Sequence, residues 1–183
     1  MARTLVERLE EHFFDTTGNI FAGTPFFALL ENVILQQPDQ NAIDARAKSA
    51  ILNYAGLGFF YSKGRDYSRK KFNITKEQQG MHDMIYTFGV TLIVGPAIYL
   101  LSGNSLETSC IDGFWSSVAV IPIGYFIGHG IDLSKDLFGI KESDRKPAQL
   151  FRNCSTTTKQ IIGAASIAGI TALTAAIYQA TPW

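Results

Sequence analysis

Acidic and imidazole side chains occur within or at the ends of long apolar stretches of this sequence. Residues 81–103 and 113–133 are two such stretches, with Asp83 near the start of the first and His129 and Asp132 near the end of the second. Each stretch is long enough to cross a bilayer, because about 20 mostly apolar residues suffice. Ionisable groups are costly in hydrocarbon and usually face other helices or a wet cavity. The pattern predicts a polytopic membrane protein that functions where these polar side chains converge.

Glu31 is the acidic residue most completely surrounded by apolar neighbours, within the run of residues 26–35. It is expected in the outer half of the membrane. Arg46, near the start of the next apolar segment, could reach the same depth, and pairing would offset the desolvation of both charges. Glu31 could therefore be a protonatable substrate or proton site, or the pair could be a structural ion pair that joins two helices. The sequence leaves both interpretations open.

Several further charged residues are expected near the inner boundary of the membrane: Asp15, Asp66, Asp83 and Asp132, with Arg65 and His129 close by. Acids at one level of a helix bundle could form a proton relay or a substrate vestibule. Asp15 and Asp83 lie at the expected N-terminal ends of spans, where the helix dipole favours a carboxylate, so helix capping is the alternative for these two. Asp132 lies at a C-terminal end and therefore needs a cationic partner such as Arg65.

Glycine and proline residues in the apolar stretches predict close helix packing and a helix break. Gly124, Gly128 and Asp132 recur every four residues and share one helix face, and two glycines at this spacing let another helix approach closely. Gly95 and Pro96 are expected to break or kink the stretch 81–103 near mid-membrane. Such breaks often border transport sites, because the freed carbonyl groups must find other partners.

The elements that position these residues are five candidate spans: residues 13–36, 42–61, 81–103, 113–133 and 161–180. The second is the weakest because Arg46 and Lys48 lie in its first turns, although a tilted helix with snorkelling ends could complete the crossing. Leu5 and Leu9 predict an N-terminal amphipathic helix on the membrane surface. The predicted fold class is an all-α transmembrane bundle of four core spans, a fifth C-terminal span and this N-terminal helix.

Loop charge predicts the orientation of the spans. Residues 63–76 and 135–159 contain six Lys or Arg residues each, whereas residues 104–112 contain none and two acids. By the positive-inside rule both basic segments and the N-terminus are cytoplasmic, and the loop 104–112 and the C-terminus are outside. Residues 1–140 are then a membrane domain, and residues 141–183 are a cytoplasmic linker followed by a C-terminal transmembrane helix.

Composition argues against several classes of function. Lys and Arg balance Asp and Glu at 16 each, so no basic field suggests nucleic-acid binding. Cys110 and Cys154 are the two cysteines, and the predicted topology separates them across the membrane, so no disulfide is expected. No metal-ligand spacing, nucleophile motif or phosphate-binding glycine loop is present, which predicts a protein that is not an enzyme and has no cofactor.

A series of polar and aromatic residues carries a family resemblance over residues 15–138: Asp15-Thr16, Glu31, Arg46, Asn53, Arg65-Asp66, Asp83, Ile85-Tyr86, Phe88, Asp132 and Leu137-Phe138. In this order and spacing the chain resembles the bacterial L-alanine exporter family, which are small membrane proteins with four spans. The position of Pro96 and the loop 104–112 depart from the family pattern. The segment after Phe138 lies outside the resemblance.

The resemblance implies export of L-alanine, or of a similar small neutral amino acid, across the bacterial inner membrane by the proton motive force. The residues expected to bind substrate or couple protons are Asp15, Glu31, Arg46, Asn53, Asp83 and Asp132. Arg46 could meet the carboxylate of the zwitterion, and Glu31 or Asp15 its ammonium group. A homodimer is expected, because four or five spans are few for alternating access. The alternative is a non-catalytic transmembrane subunit of a larger complex, in which these polar residues only hold helices together.

Overall fold

The computed structural model describes residues 4–36 and 39–180, and within them the chain is helical and contains no strand. The helices are α1 (Leu5–Leu29), α2 (Asp39–Leu52), α3 (Gly58–Lys71), α4 (Gln79–Leu101), α5 (Leu106–Leu137), α6 (Lys146–Gln149) and α7 (Thr156–Ala180). Two π-helical segments, Leu30–Ile34 and Asn53–Leu57, extend α1 and join α2 to α3. The expected all-α bundle is confirmed.

Three helices among the described residues are long and apolar enough to cross a membrane: α4, α5 and α7, with 23, 32 and 25 residues. They coincide with the third, fourth and fifth expected spans, so the structure is compatible with a membrane protein. Helix α1 is long enough as well, at 25 residues. Its hydropathy is too low for the same criterion because it carries many polar side chains, and α2 and α3 are too short, at 14 residues each. A membrane crossing by residues 13–36 and 42–61 stays a prediction.

Helix α1 begins earlier than the sequence pattern suggested. Thr4 caps it, since its side chain accepts a hydrogen bond from the Glu7 amide at 3.3 Å while the Glu7 carboxylate accepts one from the Thr4 amide at 2.8 Å. This reciprocal arrangement satisfies two backbone donors and fixes the helix start. Leu5 and Leu9 therefore belong to the same continuous helix as Asp15. The N-terminal amphipathic helix is thus the first part of α1 and not a separate element. Asp15 lies within this helix and not at its start, so the capping interpretation of Asp15 was wrong.

Helices α4 and α5 form an antiparallel pair at the centre of the bundle. Gly113 lies against Pro96, and a Cβ atom at Gly113 would meet the backbone nitrogen of Pro96 at 2.7 Å. The missing side chain accommodates the proline ring, and α4 continues through Gly95 and Pro96 without the predicted break. The connection is also shorter than predicted, because Ser105 already caps α5 through the Thr108 amide at 3.2 Å.

The interior of the bundle combines small apolar clusters with many polar groups. One cluster joins α3 to α5 through Tyr61, Val120, Ile123, Ile127 and Ile131. Large apolar side chains on α4 instead point outwards, and Ile93 is 78 % exposed. An apolar exterior around a partly polar interior is the arrangement that a lipid environment favours. The polar interior is where a functional site is to be sought.

Candidate functional site

One buried polar group, here called the Glu31 group, contains Glu31, Arg46, Tyr99 and Ser116. Arg46 Nη2 lies 2.6 Å from Glu31 Oε1, and the Tyr99 hydroxyl donates to the same oxygen at 3.0 Å. Ser116 and Tyr99 hydroxyl oxygens are 2.7 Å apart, so Ser116 donates to Tyr99. The Arg46 guanidinium also lies 4.5 Å from the centre of the Phe27 ring. The ion pair expected from the sequence is therefore present.

Each partner of this ion pair keeps one polar atom without a hydrogen bond. Glu31 Oε2 and Arg46 Nε are both buried, and neither has a hydrogen-bond partner among the described residues. A buried polar group without a partner costs about 1–3 kcal/mol, and more when it is charged. Such atoms in a native structure call for an explanation. A bound molecule with both an acceptor and a donor would satisfy the two of them.

Two of the predicted site residues lie in the π-helical segments. Glu31 is the second residue of Leu30–Ile34, and Asn53 is the first residue of Asn53–Leu57. The second segment contains Gly56 at φ +140°, a backbone conformation that glycine adopts without strain. The turn at Glu31 is therefore a π-helical turn, a rare feature that is frequent at functional sites, whereas Asn53 lies at a kink between α2 and α3.

A cavity of about 100 Å³ lies among α1, α2, α4 and α5. Arg46, Ser49, Asn53, Asn19 and Tyr99 supply polar atoms to its wall. The Asn19 amide donates to the Asn53 side-chain oxygen at 3.2 Å, and the Asn53 amide donates to the Ser49 carbonyl at 2.8 Å. The cavity is large enough to hold several water molecules. Its size and polarity suit a small polar molecule.

A chain of hydrogen bonds leads from this cavity to a second polar group. Tyr61 and Thr87 both line the cavity, and their hydroxyl oxygens are 2.5 Å apart. Thr87 donates its proton to the backbone carbonyl of Asp83 at 2.6 Å, so Tyr61 must be the donor to Thr87. The hydroxyl groups of Tyr61 and Thr87 therefore connect the cavity to the backbone carbonyl of Asp83.

The second polar group, here called the Asp83 group, contains Asp83, Asp132, Arg65, Arg69 and Arg145. Arg69 Nη2 lies 2.5 Å from Asp83 Oδ2, and Arg65 Nη2 lies 2.5 Å from Asp132 Oδ1. Arg145 contacts both acids, with Nη2 at Asp83 and Nε 2.7 Å from Asp132 Oδ2. Asp83 and Arg65 are completely buried. Arg65 is thus the partner that Asp132 was expected to need.

Asp15 lies in a separate contact and does not meet Arg46. It accepts a hydrogen bond from Ser62 at 2.5 Å and lies 3.1 Å from the Lys135 ammonium nitrogen. Lys135 is also 3.6 Å from Asp66. The acid that contacts Arg46 is Glu31, so of the two ammonium-binding candidates only Glu31 is placed beside it.

Sequence reasoning missed four residues of the two groups, Tyr99, Ser116, Arg69 and Arg145, and it also missed Lys135 beside Asp15. Lys135 and Tyr99 lie in predicted spans or at their ends, so their position in an apolar helix could have marked them. Arg145 lies in the linker after α5, and its sequence surroundings give no sign that it turns back into the bundle. Its side chain is only 8 % exposed.

The linker that carries Arg145 folds back onto the helices through further polar contacts. The Ser143 amide donates to Asp136 at 2.8 Å, and Gly139 at φ +76° allows the chain to turn after α5. Lys76 lies 2.7 Å from Asp144, and its hydrogen bond lowers the pKa of the Asp144 carboxyl below the usual value. Both of these last side chains are largely exposed, so the contact is a surface ion pair of small energetic weight.

Gly124 and Gly128 on α5 make room for α4 at Asp83. A Cβ atom at Gly128 would meet the Asp83 Cβ at 3.1 Å and the carboxylate more closely still. At Gly124 it would meet the Asp83 carbonyl at 2.7 Å and the Thr87 hydroxyl at 2.8 Å. The two glycines therefore allow the Asp83 side chain to reach its arginine partners.

Gly128→Ala is expected to lower the free energy of unfolding by about 1–3 kcal/mol, because the added methyl group displaces a buried, ion-paired carboxylate. The measurement is thermal or denaturant unfolding of the purified protein in detergent. Gly169→Ala is the matched control, since nothing lies within 4 Å of a Cβ atom at that helical position. Equal stability of the two variants would contradict the packing role of Gly128.

The described residues contain no group of three or more His, Cys, Asp or Glu side chains arranged to hold a metal ion. Cys110 and Cys154 are both free thiols. The chain matches no protein-family model, no curated protein and no solved structure. The assignment of function therefore depends on the geometry of the Glu31 group and its cavity.

Proposed function

We propose that this protein is a membrane transporter that exports L-alanine, or a similar small neutral amino acid, in exchange for protons. The observation that carries the proposal is the buried Arg46–Glu31 ion pair, 2.6 Å apart, with Arg46 on the wall of a polar cavity of about 100 Å³. Arg46 lines this cavity, whereas Glu31 contacts Arg46 and Tyr99 without lining the cavity itself. The Arg46 charge is therefore available to a zwitterion directly, and the Glu31 charge becomes available when the Arg46–Glu31 contact opens. The resemblance of residues 15–138 to bacterial L-alanine exporters supports the same function.

The two atoms without hydrogen bonds assign a role to each charged side chain. Arg46 Nε is a donor for the substrate carboxylate, and Glu31 Oε2 is an acceptor for the substrate ammonium group. A proton competes with that ammonium group for the Glu31 carboxylate. Substrate and proton therefore bind in alternation, which is the requirement for proton-driven export by exchange.

The cavity also limits the size of the substrate side chain. Val94 and Ile98 belong to its apolar wall, and its volume of about 100 Å³ leaves space only for a small group beside the zwitterion. A methyl side chain would contact these residues without displacing them. The larger side chain of leucine would press against these residues, and overpacking them is unfavourable.

The topology of the proposal has five spans, with the N-terminus on the cytoplasmic side of a bacterial inner membrane. Helix α1 and the α2–α3 segment supply the two spans that hydropathy alone does not identify. Their polar residues favour this assignment because they face inward: Asp15, Glu31 and Asn32 are completely buried. Buried polar side chains let a helix of modest hydropathy lie within a membrane bundle. A homodimer is part of the same proposal.

The second candidate function is a non-catalytic transmembrane subunit of a larger membrane complex. The Asp83 group favours it, because buried ion pairs between α3, α4 and α5 can serve to fix helix positions alone. A subunit of this kind would not move substrate when purified by itself.

The test is uptake and release of labelled L-alanine by liposomes that contain only this protein, with and without an imposed pH gradient. We expect flux that depends on the gradient, with little flux of labelled L-leucine as the control for substrate size. Flux of neither amino acid from folded, inserted protein would contradict the transport proposal and favour the subunit function. Equal flux of both would contradict the role assigned to the cavity.

A further inference from the structure

The Asp83 group contains one more cation than its two carboxylates need. Besides Arg145, each acid has an arginine partner of its own. Arg69 lies 2.5 Å from Asp83, and Arg65 lies 2.5 Å from Asp132. The Arg145 guanidinium bridges the same two acids from the linker. Neither carboxylate would be stranded if Arg145 moved away, so the large cost of breaking a buried ion pair does not apply to its departure.

His129 can satisfy its hydrogen bonds with Arg145 present or absent. Its Nδ1 atom lies 2.5 Å from Arg145 Nη1 and 2.8 Å from the Tyr125 carbonyl oxygen. One imidazole nitrogen either accepts from the guanidinium or donates to the carbonyl, and cannot do both at once. Departure of Arg145 would allow the other tautomer to bond to Tyr125. His129 therefore has a hydrogen-bond partner both when Arg145 is bound in the bundle and when it has moved away.

A second cavity, of about 130 Å³, lies beside Arg145 on the linker side of the bundle. Its wall includes Asp132 and Arg145 together with three further cations, Arg69, Lys135 and Lys141, and three further acids, Asp66, Glu142 and Asp144. Arg145 belongs to the linker and not to α3, α4 or α5, so it can withdraw without a shift of these helices. Its withdrawal would join this cavity to the space between the two carboxylates.

We infer that Asp83 and Asp132 form a second binding site, for the primary ammonium group of an amino-acid substrate, and that the Arg145 guanidinium occupies this site when substrate is absent. An ammonium group has three donors, which two carboxylates can accept. The substrate carboxylate would face the cations of the same cavity wall. The site therefore takes a zwitterion, with both of its charged ends matched.

This inference rests on the proposed transport function for its choice of ligand, and it places the new site on the path to the Glu31 group. Thr87 donates to the Asp83 carbonyl at 2.6 Å and lines the cavity of the Glu31 group with Tyr61. Thr87 and Asp83 are therefore one turn apart on α4, with Thr87 on the wall of that cavity and Asp83 in the proposed second site. The Asp83 group would load substrate from the linker side.

The test uses the full chain in detergent and measures the affinity for ethylamine, propionate and L-alanine by calorimetry. Ethylamine carries the ammonium group alone, and propionate carries the carboxylate alone. Arg145→Gln is expected to increase the affinity for ethylamine and L-alanine about tenfold, because a tethered competitor acts at an effective concentration of about millimolar. The affinity for propionate should not increase.

Arg152→Gln is the matched control, because Arg152 belongs to the same linker and is 48 % exposed, 3.8 Å from Asp144. It should bind all three ligands as the unmodified protein does. Arg145→Lys keeps the charge with fewer donors and should give a smaller gain than Arg145→Gln, which provides a second variant if the first does not fold. Asp132→Asn in the Arg145→Gln background should remove the gain.

Unchanged or weaker ethylamine binding by both Arg145 variants would overturn the inference. An equal gain for propionate, or for sodium chloride, would also overturn it, because either result indicates a general effect of charge. The measurement does not involve flux, and ethylamine has no carboxylate for Arg46. A failure of the transport proposal and a failure of the second site are therefore distinguishable.

Discussion

Glu31→Gln should abolish the pH-gradient-dependent flux of L-alanine in proteoliposomes and leave the protein folded. Glutamine has nearly the same shape and can still accept the hydrogen bond that Tyr99 donates at 3.0 Å. It cannot take up or release a proton, and it offers the substrate ammonium group no charge. Flux should fall to the level of empty liposomes, whereas the thermal unfolding temperature in detergent should change little.

Asp44→Asn is the matched control for this loss. Asp44 is an acid on α2 like Arg46, but it is 41 % exposed and pairs with Lys48 at 2.6 Å within the same helix. Its removal should leave both the flux and its dependence on the gradient intact. If Glu31→Gln transported L-alanine as the unmodified protein does, proton coupling would lie elsewhere, and Asp83 would be the next acid to replace.

The sequence was sufficient for the parts of the fold and the site that depend on burial alone. Long apolar runs required helices, and α4, α5 and α7 follow them within a few residues. A carboxylate within an apolar run required a cationic partner, and Arg46 was the residue that could reach Glu31. These predictions followed from the cost of burying an unpaired charge, which does not depend on the details of the fold.

Features that depend on contacts between distant residues were not predictable from the sequence. The kink between α2 and α3 occurs at Gly56, but other glycines of the chain, such as Gly95, lie in continuous helix, so the residue type alone did not mark it. Pro96 was expected to break or kink α4; the helix continues through it, and the close packing of its ring against Gly113 on α5 could not be read from the sequence. Arg145 enters the Asp83 group because the linker turns at Gly139 and folds back, which is a property of the tertiary structure.

The capping interpretation of Asp15 failed for a different reason, which is local. The helix start was placed by hydropathy near residue 13, whereas Thr4 and Glu7 form a capping box that begins α1 at Leu5. The same residues were available to sequence reasoning. Capping signals are as informative about a helix boundary as the hydrophobic pattern, and here they decide it.

Arg46→Ala is expected to lower the free energy of unfolding by about 3–5 kcal/mol, because it leaves a buried carboxylate without its cation. Glu31 is completely buried, and Arg46 is the cation that contacts it among the described residues. Glu31→Gln should cost less, since the remaining guanidinium is 14 % exposed and still lies over the Phe27 ring. The measurement is denaturant unfolding of each variant in detergent.

The double variant Arg46→Ala with Glu31→Gln decides whether this loss comes from the stranded charge. If it does, the double variant should be more stable than Arg46→Ala alone, because a neutral amide replaces the unpaired carboxylate and keeps its bond to Tyr99. Additive losses would show that the two side chains act independently, against the 2.6 Å contact between them.

A strong coupling in stability together with the loss of flux in Glu31→Gln would mean that one ion pair has two roles. It would hold α2 to the end of α1 and also carry the exchange of substrate for proton. Substrate would then have to open a contact that stabilises the empty transporter, which is how binding energy can be used to change its conformation.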